Sequence, residues 1–238
     1  MKGRARGLLV LLLAVGSARA EPLLQPLAGA DGALPPAPWR YAGLPTQREP
    51  ATRYGMAGVD GRRALRIEAE SSYGNLVHPL QRPAEALQLS WSWRVDSFAA
   101  GADLRRRDGD DNAVKVCVLF DLPLARVPFV ERQLLRLARA RSAEALPAAT
   151  VCYVWDALLP AGSVLPNAYT RRLRYLVLRS GAEPGWRDER RDIAADFRQL
   201  FGDESTEVPA VLAIALGADA DNTRGRSLAH VADLVLAR

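Results

Sequence analysis

The chain has 238 residues, with 32 Lys and Arg against 27 Asp and Glu, 49% hydrophobic and 25% charged side chains, 18 Gly, 16 Pro and 2 Cys. These proportions exclude a disordered chain, a collagen-like repeat and a disulfide-dense miniature scaffold. The net charge of +5 suggests a polyanion partner, but Lys2, Arg4, Arg6 and Arg19 all lie in the first twenty residues, which hold no acid. The remainder is close to neutral, which argues against nucleic acid.

Residues 1–20 have the layout of a signal peptide: a basic start, an apolar run from Leu8 to Val15, and Ala18-Arg19-Ala20 as a cleavage site before Glu21. The run is too short for a membrane span, which needs roughly 20 apolar residues. The expected mature chain starts at Glu21, is periplasmic or secreted, and has no transmembrane span. Residues 21–58 are rich in Pro, Gly and Ala and read as an extended leader anchored by Trp39 and Tyr41. Residues 59–238 read as one domain.

Period-2 alternation then begins. Leu65, Ile67 and Ala69 alternate with Arg66, Glu68 and Glu70, and Leu87, Leu89, Trp91, Trp93 and Val95 alternate with polar residues. Each pattern predicts a strand with one wet face. Trp91 and Trp93 share the apolar face and are expected in the core. Further strands are expected over 113–120, 150–155, 173–179, 211–216 and 228–236. Phe129 to Ala145 predicts a helix with Val130, Leu134, Leu137 and Ala138 on its covering stripe. Its Arg132, Arg136, Arg139 and Arg141 are expected in water, with an anionic envelope surface as the alternative use. Asp192 to Phe201 predicts a second helix, capped by Asp192 and ended by Gly202. Many short strands without βαβ alternation indicate a mainly β protein, an antiparallel β-sandwich (jelly-roll-like) with two short covering helices.

Cys117 and Cys152 lie in two apolar runs that read as central strands. In an oxidising compartment they form a disulfide if those strands are neighbours, and otherwise are two small buried hydrophobes. A Cys-His metal site is disfavoured because neither His78 nor His230 stands at ligand spacing from a Cys.

Two acidic loops carry the strongest polar signal: Asp108, Asp110, Asp111 and Asn112 before one strand, and Asp219, Asp221 and Asn222, with Thr223, after another. Hard cations take oxygens from such clusters, so Ca²⁺ on Asp110, Asp111 and Asp221 is the candidate metal, against ordinary turn chemistry. The loops are expected to meet at one end of the sandwich, with Arg107 or Arg224 compensating their charge. Asp188-Glu189-Arg190-Arg191-Asp192 offers paired carboxylates for acid–base work, or a solvated ion-pair face. His78 and His230 are candidate bases that flank apolar residues. Trp186, in a Gly/Pro loop, is a candidate ring for stacking on a sugar. No nucleophile elbow, zinc-protease motif or phosphate-cradling loop is present.

Six segments in order, Trp93-Arg-Val-Asp96, Asp103 to Asp111, Tyr153-Val-Trp155, Pro166-Asn-Ala-Tyr-Thr170, Glu189 to Ile193 and Asp219 to Thr223, resemble the bacterial family called domain of unknown function 3047, over roughly 60–236. The resemblance implies an exported β-sandwich and carries over no activity, ligand or catalytic residue. The chain departs from the family's usual pattern at Cys117 and His230. The expected role is a non-catalytic binding module for a saccharide or other envelope ligand; the alternatives are a polysaccharide-active enzyme or an envelope interaction protein without a small ligand.

Overall fold

The computed structural model describes residues 23–44, 47–142 and 146–238. The expected signal peptide lies outside them. Chain order is β1 (Arg40–Ala42), β2 (Arg53–Val59), β3 (Arg62–Glu70), β4 (Tyr73–Arg82), β5 (Gln88–Ser97), β6 (Lys115–Phe120), α1 (Phe129–Arg141), β7 (Ala149–Asp156), β8 (Val164–Pro166), β9 (Leu173–Ser180), β10 (Arg187–Asp192), α2 (Ile193–Phe201), β11 (Val211–Asp219) and β12 (Arg226–Ala237). Two sheets form a β-sandwich, ordered β1-β4-β11-β6-β7-β9-β8 and β10-β5-β12-β3-β2.

Local chemistry explains the hairpins. Asp60 and Gly61 both take positive φ, 49° and 74°, between paired Val59 and Arg62. That is the two-residue turn that an Asp-Gly pair favours. Among the strands of the described residues, all pairings are antiparallel except β7 with β9, which run parallel and depart from the antiparallel expectation. The parallel pair requires the chain to cross over after β7, and the crossover carries Leu159 and Leu165 onto the outer face of the seven-stranded sheet.

That sheet is therefore apolar on both faces. Its inner face meets Leu65, Ile67, Leu89, Trp91 and Trp93 of the other sheet. Its outer face holds Cys117, Cys152, Val154, Tyr175 and Val177 under Leu104. This explains why β6 and β7 read as unbroken apolar runs. Cys117 and Cys152 stand directly opposite each other in the β6–β7 register and form a disulfide.

Three expectations change. The segment 21–58 is not merely a leader: β1 joins one sheet, β2 joins the other, and Leu24 and Trp39 are buried. Its anchors do hold, with Trp39 Nε1 donating to Gln25 O at 2.7 Å and Tyr41 hydroxyl to Tyr73 O at 2.7 Å. Residues 187–192, read as a charged helix entrance, form edge strand β10. In α1, Val130, Leu134 and Leu137 face solvent and Leu135 is the buried residue.

Candidate functional site

The two acidic loops meet at the end of the sandwich where β6 begins and β11 finishes. Asn112 N donates to Asp219 Oδ1 at 2.7 Å, and Asp219 N returns a bond to Asn112 O at 3.0 Å. Asp111 holds the second loop in place: Oδ1 accepts from Asn222 N at 3.1 Å, and Oδ2 accepts from Thr223 N at 2.8 Å and from the Thr223 hydroxyl at 2.5 Å. Asp111 is thus spent on structure.

Beneath the loops lies a cation that the sequence reading passed over. Lys115 Nζ sits 2.5 Å from Asp219 Oδ2, with both side chains buried, and 5.4 Å from the centroid of the Tyr73 ring. Gly217, opposite Lys115 in the register, makes this arrangement possible. A Cβ there would lie 2.7 Å from Lys115 Cε and 2.3 Å from Asn75 Oδ1. Burial alone would lower the lysine pKa, but the neighbouring Asp219 carboxylate outweighs it and holds the ammonium charged, well above its ordinary range. Lys115, rather than Arg107 or Arg224, compensates the acids. Arg107 instead donates to Ala168 O and lies over the Tyr169 ring.

Two carboxyls keep unusual properties. Asp110 accepts from the Tyr175 hydroxyl at 3.1 Å and from Asn167 Nδ2, which the crossover delivers. Burial, and then the charge of Asp219, push it up to about 6. Asp221 is pushed up to about 6 by the same two causes in the same order. Its Oδ1 is buried and has no hydrogen-bond partner among the described residues. Tyr169 closes the rim, its hydroxyl 2.6 Å from Asn222 Oδ1 and 2.9 Å from Arg107 O.

The other sequence candidates stand elsewhere or are occupied. Asp108 is exposed and paired with Arg106. The proposed Ca²⁺ set finds no converging donors: among the described residues no group of three or more His, Cys, Asp or Glu side chains could hold a metal ion. The physical reason is that Asp111 is saturated by the 222–223 turn, while Asp110 turns one oxygen to Tyr175 and the other to Asn167. Trp186 carries the Arg62 guanidinium over its ring, 5.4 Å from the centroid. One face for stacking is therefore taken. The β10 carboxylates are paired one by one: Glu189 with Arg179 at 2.7 Å, and Asp188 with the Ser92 hydroxyl at 2.6 Å. Asp192 caps α2 by accepting from Ala195 N at 2.9 Å, as expected. Gly202 ends that helix with right-handed φ of −62°.

Both histidines serve the fold. His78 Nε2 accepts from Gln25 N at 2.9 Å, so its ring pins the N-terminal segment, and burial lowers its pKa. His230 Nδ1 lies 2.9 Å from Asp96 Oδ2, and there too burial dominates and lowers the pKa.

The family described as protein of unknown function (DUF3047) matches residues 37–235, and the chain belongs to that family. The match begins before β1, in keeping with the incorporation of this segment into the sandwich. No curated protein is similar in sequence at a significant level. Among solved structures, the xyloglucanase domain of NopAA from Sinorhizobium fredii is 9% identical over 84% of this chain and 98% of that one, with a TM-score of 0.44. Endoglucanase cel12A from Rhodothermus marinus is 11% identical over 83% and 91%, TM-score 0.43. The catalytic domain of Humicola grisea Cel12A is 10% identical over 89% and 98%, TM-score 0.44.

Proposed function

We propose that this chain is an exported, non-catalytic binding module whose ligand, a saccharide or another hydroxyl-rich envelope component, sits on the pole formed by Asp110, Asp221, Asn222 and Tyr169. The observation that carries the reading is the buried Asp221 Oδ1 without a partner. A buried acceptor left unmatched costs about 1–3 kcal/mol. A ligand hydroxyl donating to it would remove that cost, and the amide of Asn222 and hydroxyl of Tyr169 supply further groups of the kind that orient polar ligands.

A glycan array followed by ligand-induced melting, with and without Ca²⁺ and EDTA, tests this. A glycan that raises the melting temperature of the wild type, and does so less with Asp221→Asn, supports the reading. If no glycan raises it, or Asp221→Asn responds like wild type, the reading is rejected. Export is checked by the intact mass of protein from a periplasmic extract, expected to begin at Glu21.

One observation favours a second reading, a polysaccharide-active enzyme. Asp110 and Asp221 at about 6 lie where a carboxylic acid transfers protons effectively near neutral pH. New reducing ends released from a glycan hit, lost in Asp110→Asn, would establish it in place of the first.

A further inference from the structure

Helix α1 turns its apolar stripe away from the protein. Phe129, Val130, Leu134 and Leu137 are 66%, 68%, 61% and 50% exposed. Val130, Leu134 and Leu137 follow each other at i, i+4 and i+7 and so share one line on the helix surface. The helix docks by its other side, through buried Leu135, the Arg139 Nε bond to Leu146 O at 2.8 Å, and Glu131 against Arg172 at 2.5 Å. The exposed line runs on into Arg141, one turn past Leu137, and Arg136 lies about 100° to one side of it. Arg136 and Arg141 are exposed, and no carboxylate among the described residues pairs with either. Glu131, the acid of this helix, is consumed by Arg171 and Arg172.

We propose that α1 is a surface helix that beds Val130, Leu134 and Leu137 in the headgroup boundary of an anionic lipid bilayer, with Arg136 and Arg141 at the level of the lipid phosphates. Charge complementarity selects this occupant: apolar side chains beside guanidiniums that no carboxylate among the described residues pairs fit an apolar layer under a negative surface. A second copy fits poorly, because two-fold pairing of this face doubles the Arg136 and Arg141 charge at the seam with no carboxylate among the described residues of this face to offset it. The area argues the same way. Four side chains on a convex helix fall far short of the roughly 20–30 residues per side of a stable protein interface, whereas a fluid bilayer needs no matching groove. The placement is also consistent. Strand β6 runs from Lys115 at the acidic pole to Phe120, and α1 follows that far end. A bilayer held by α1 therefore lies towards the end of β6 opposite Lys115.

The test is co-sedimentation of the full chain with vesicles of phosphatidylglycerol and phosphatidylcholine, against vesicles of phosphatidylcholine alone. The expected result is binding to the anionic vesicles only, weakened by added salt. Leu134→Glu/Leu137→Glu is expected to lower it about tenfold or more, and Arg136→Glu/Arg141→Glu to lower it as well. Both positions in the first pair are exposed, so the melting temperature is expected to stay at the wild-type value. Equal partition to both vesicle types, or wild-type binding by Leu134→Glu/Leu137→Glu, overturns the proposal. Sedimentation velocity showing a dimer that Leu134→Glu dissociates assigns the face to a second copy and overturns it too.

Discussion

Lys115 and Asp219 form an ion pair of 2.5 Å between neighbouring strands, with side-chain exposures of 4% and 6%. The pair neutralises the floor of the pole, leaving buried Asp110 and half-buried Asp221 as the carboxyls above it. It also fixes Asp219, whose other oxygen joins the two loops through Asn112 N.

Removing the cation is expected to destabilise strongly. Lys115→Met strands a buried carboxylate, and loss of one partner of a buried pair costs about 3–5 kcal/mol. Urea unfolding of Lys115→Met, Asp219→Asn and the double variant measures it. The double variant should lose clearly less than the two single losses added together; strict additivity would mean that the pair is not coupled.

Asp110 and Asp221 set a pH dependence of one sign. Their folded-state values, about 6, lie above the ordinary carboxylate value of 3.8. Their contribution is therefore full below about pH 4 and is lost as pH rises through about 6. For buried Asp110 the loss is on the order of 2 kcal/mol. Unfolding free energy measured across this range should fall for wild type and fall less for Asp110→Asn.

Glu68 sets the opposite sign at lower pH. Burial opposes its ionisation, but Arg226, Arg66 and Arg53 outweigh that and hold it at about 2. A lowered value gives stability that is full above about 4.5 and is lost as pH falls towards about 2. Because its arginines reach solvent, the effect is discounted to on the order of 1–2 kcal/mol. Glu68→Gln should flatten the acid limb of the stability curve, read by urea midpoints; an unchanged limb would exclude Glu68 as its source.

These charges also show how far sequence reasoning reaches. The alternation at 65–70 and 87–95 reveals strands because each has one wet face, and the apolar runs around Cys117 and Cys152 reveal central strands. The acidic loops were legible as a pole because Asp111 and Asp219 exceed what a turn needs. Strand β4 was not legible, since Pro79 and Gly74 interrupt its pattern. Neither was β10, whose inward Glu189 and Arg191 are matched by Arg179 and Asp196 rather than by apolar contacts. Period 3.6 found α1 but not its direction: amphipathicity marks an apolar line, and a few polar anchors decided which side docks. Lys115 had one signal, an ammonium inside an apolar strand run.

Cys117 and Cys152 are 35 positions apart. Closing a loop of that length stabilises by about 3–4 kcal/mol in the chain-entropy account. Cys117→Ala/Cys152→Ala should lower the urea midpoint accordingly while keeping the fold, as judged by circular dichroism. Thiol alkylation of the denatured, non-reduced wild type should label neither cysteine.

The parallel β7–β9 pair bears on the order of events during folding. Its crossover delivers Asn167 and Tyr169 to a pole whose other parts lie near positions 110 and 220, so Asp111 is joined to Thr223 across 112 positions of chain. Contacts of such range form late, once shorter hairpins have reduced the entropy of closure. The Asp110–Asp221 surface is therefore expected to be absent from early intermediates and to arise only when both sheets are in place. A chain released before β11 is made would carry most of its strands but lack Asp219 to Thr223, and with them the acidic pole.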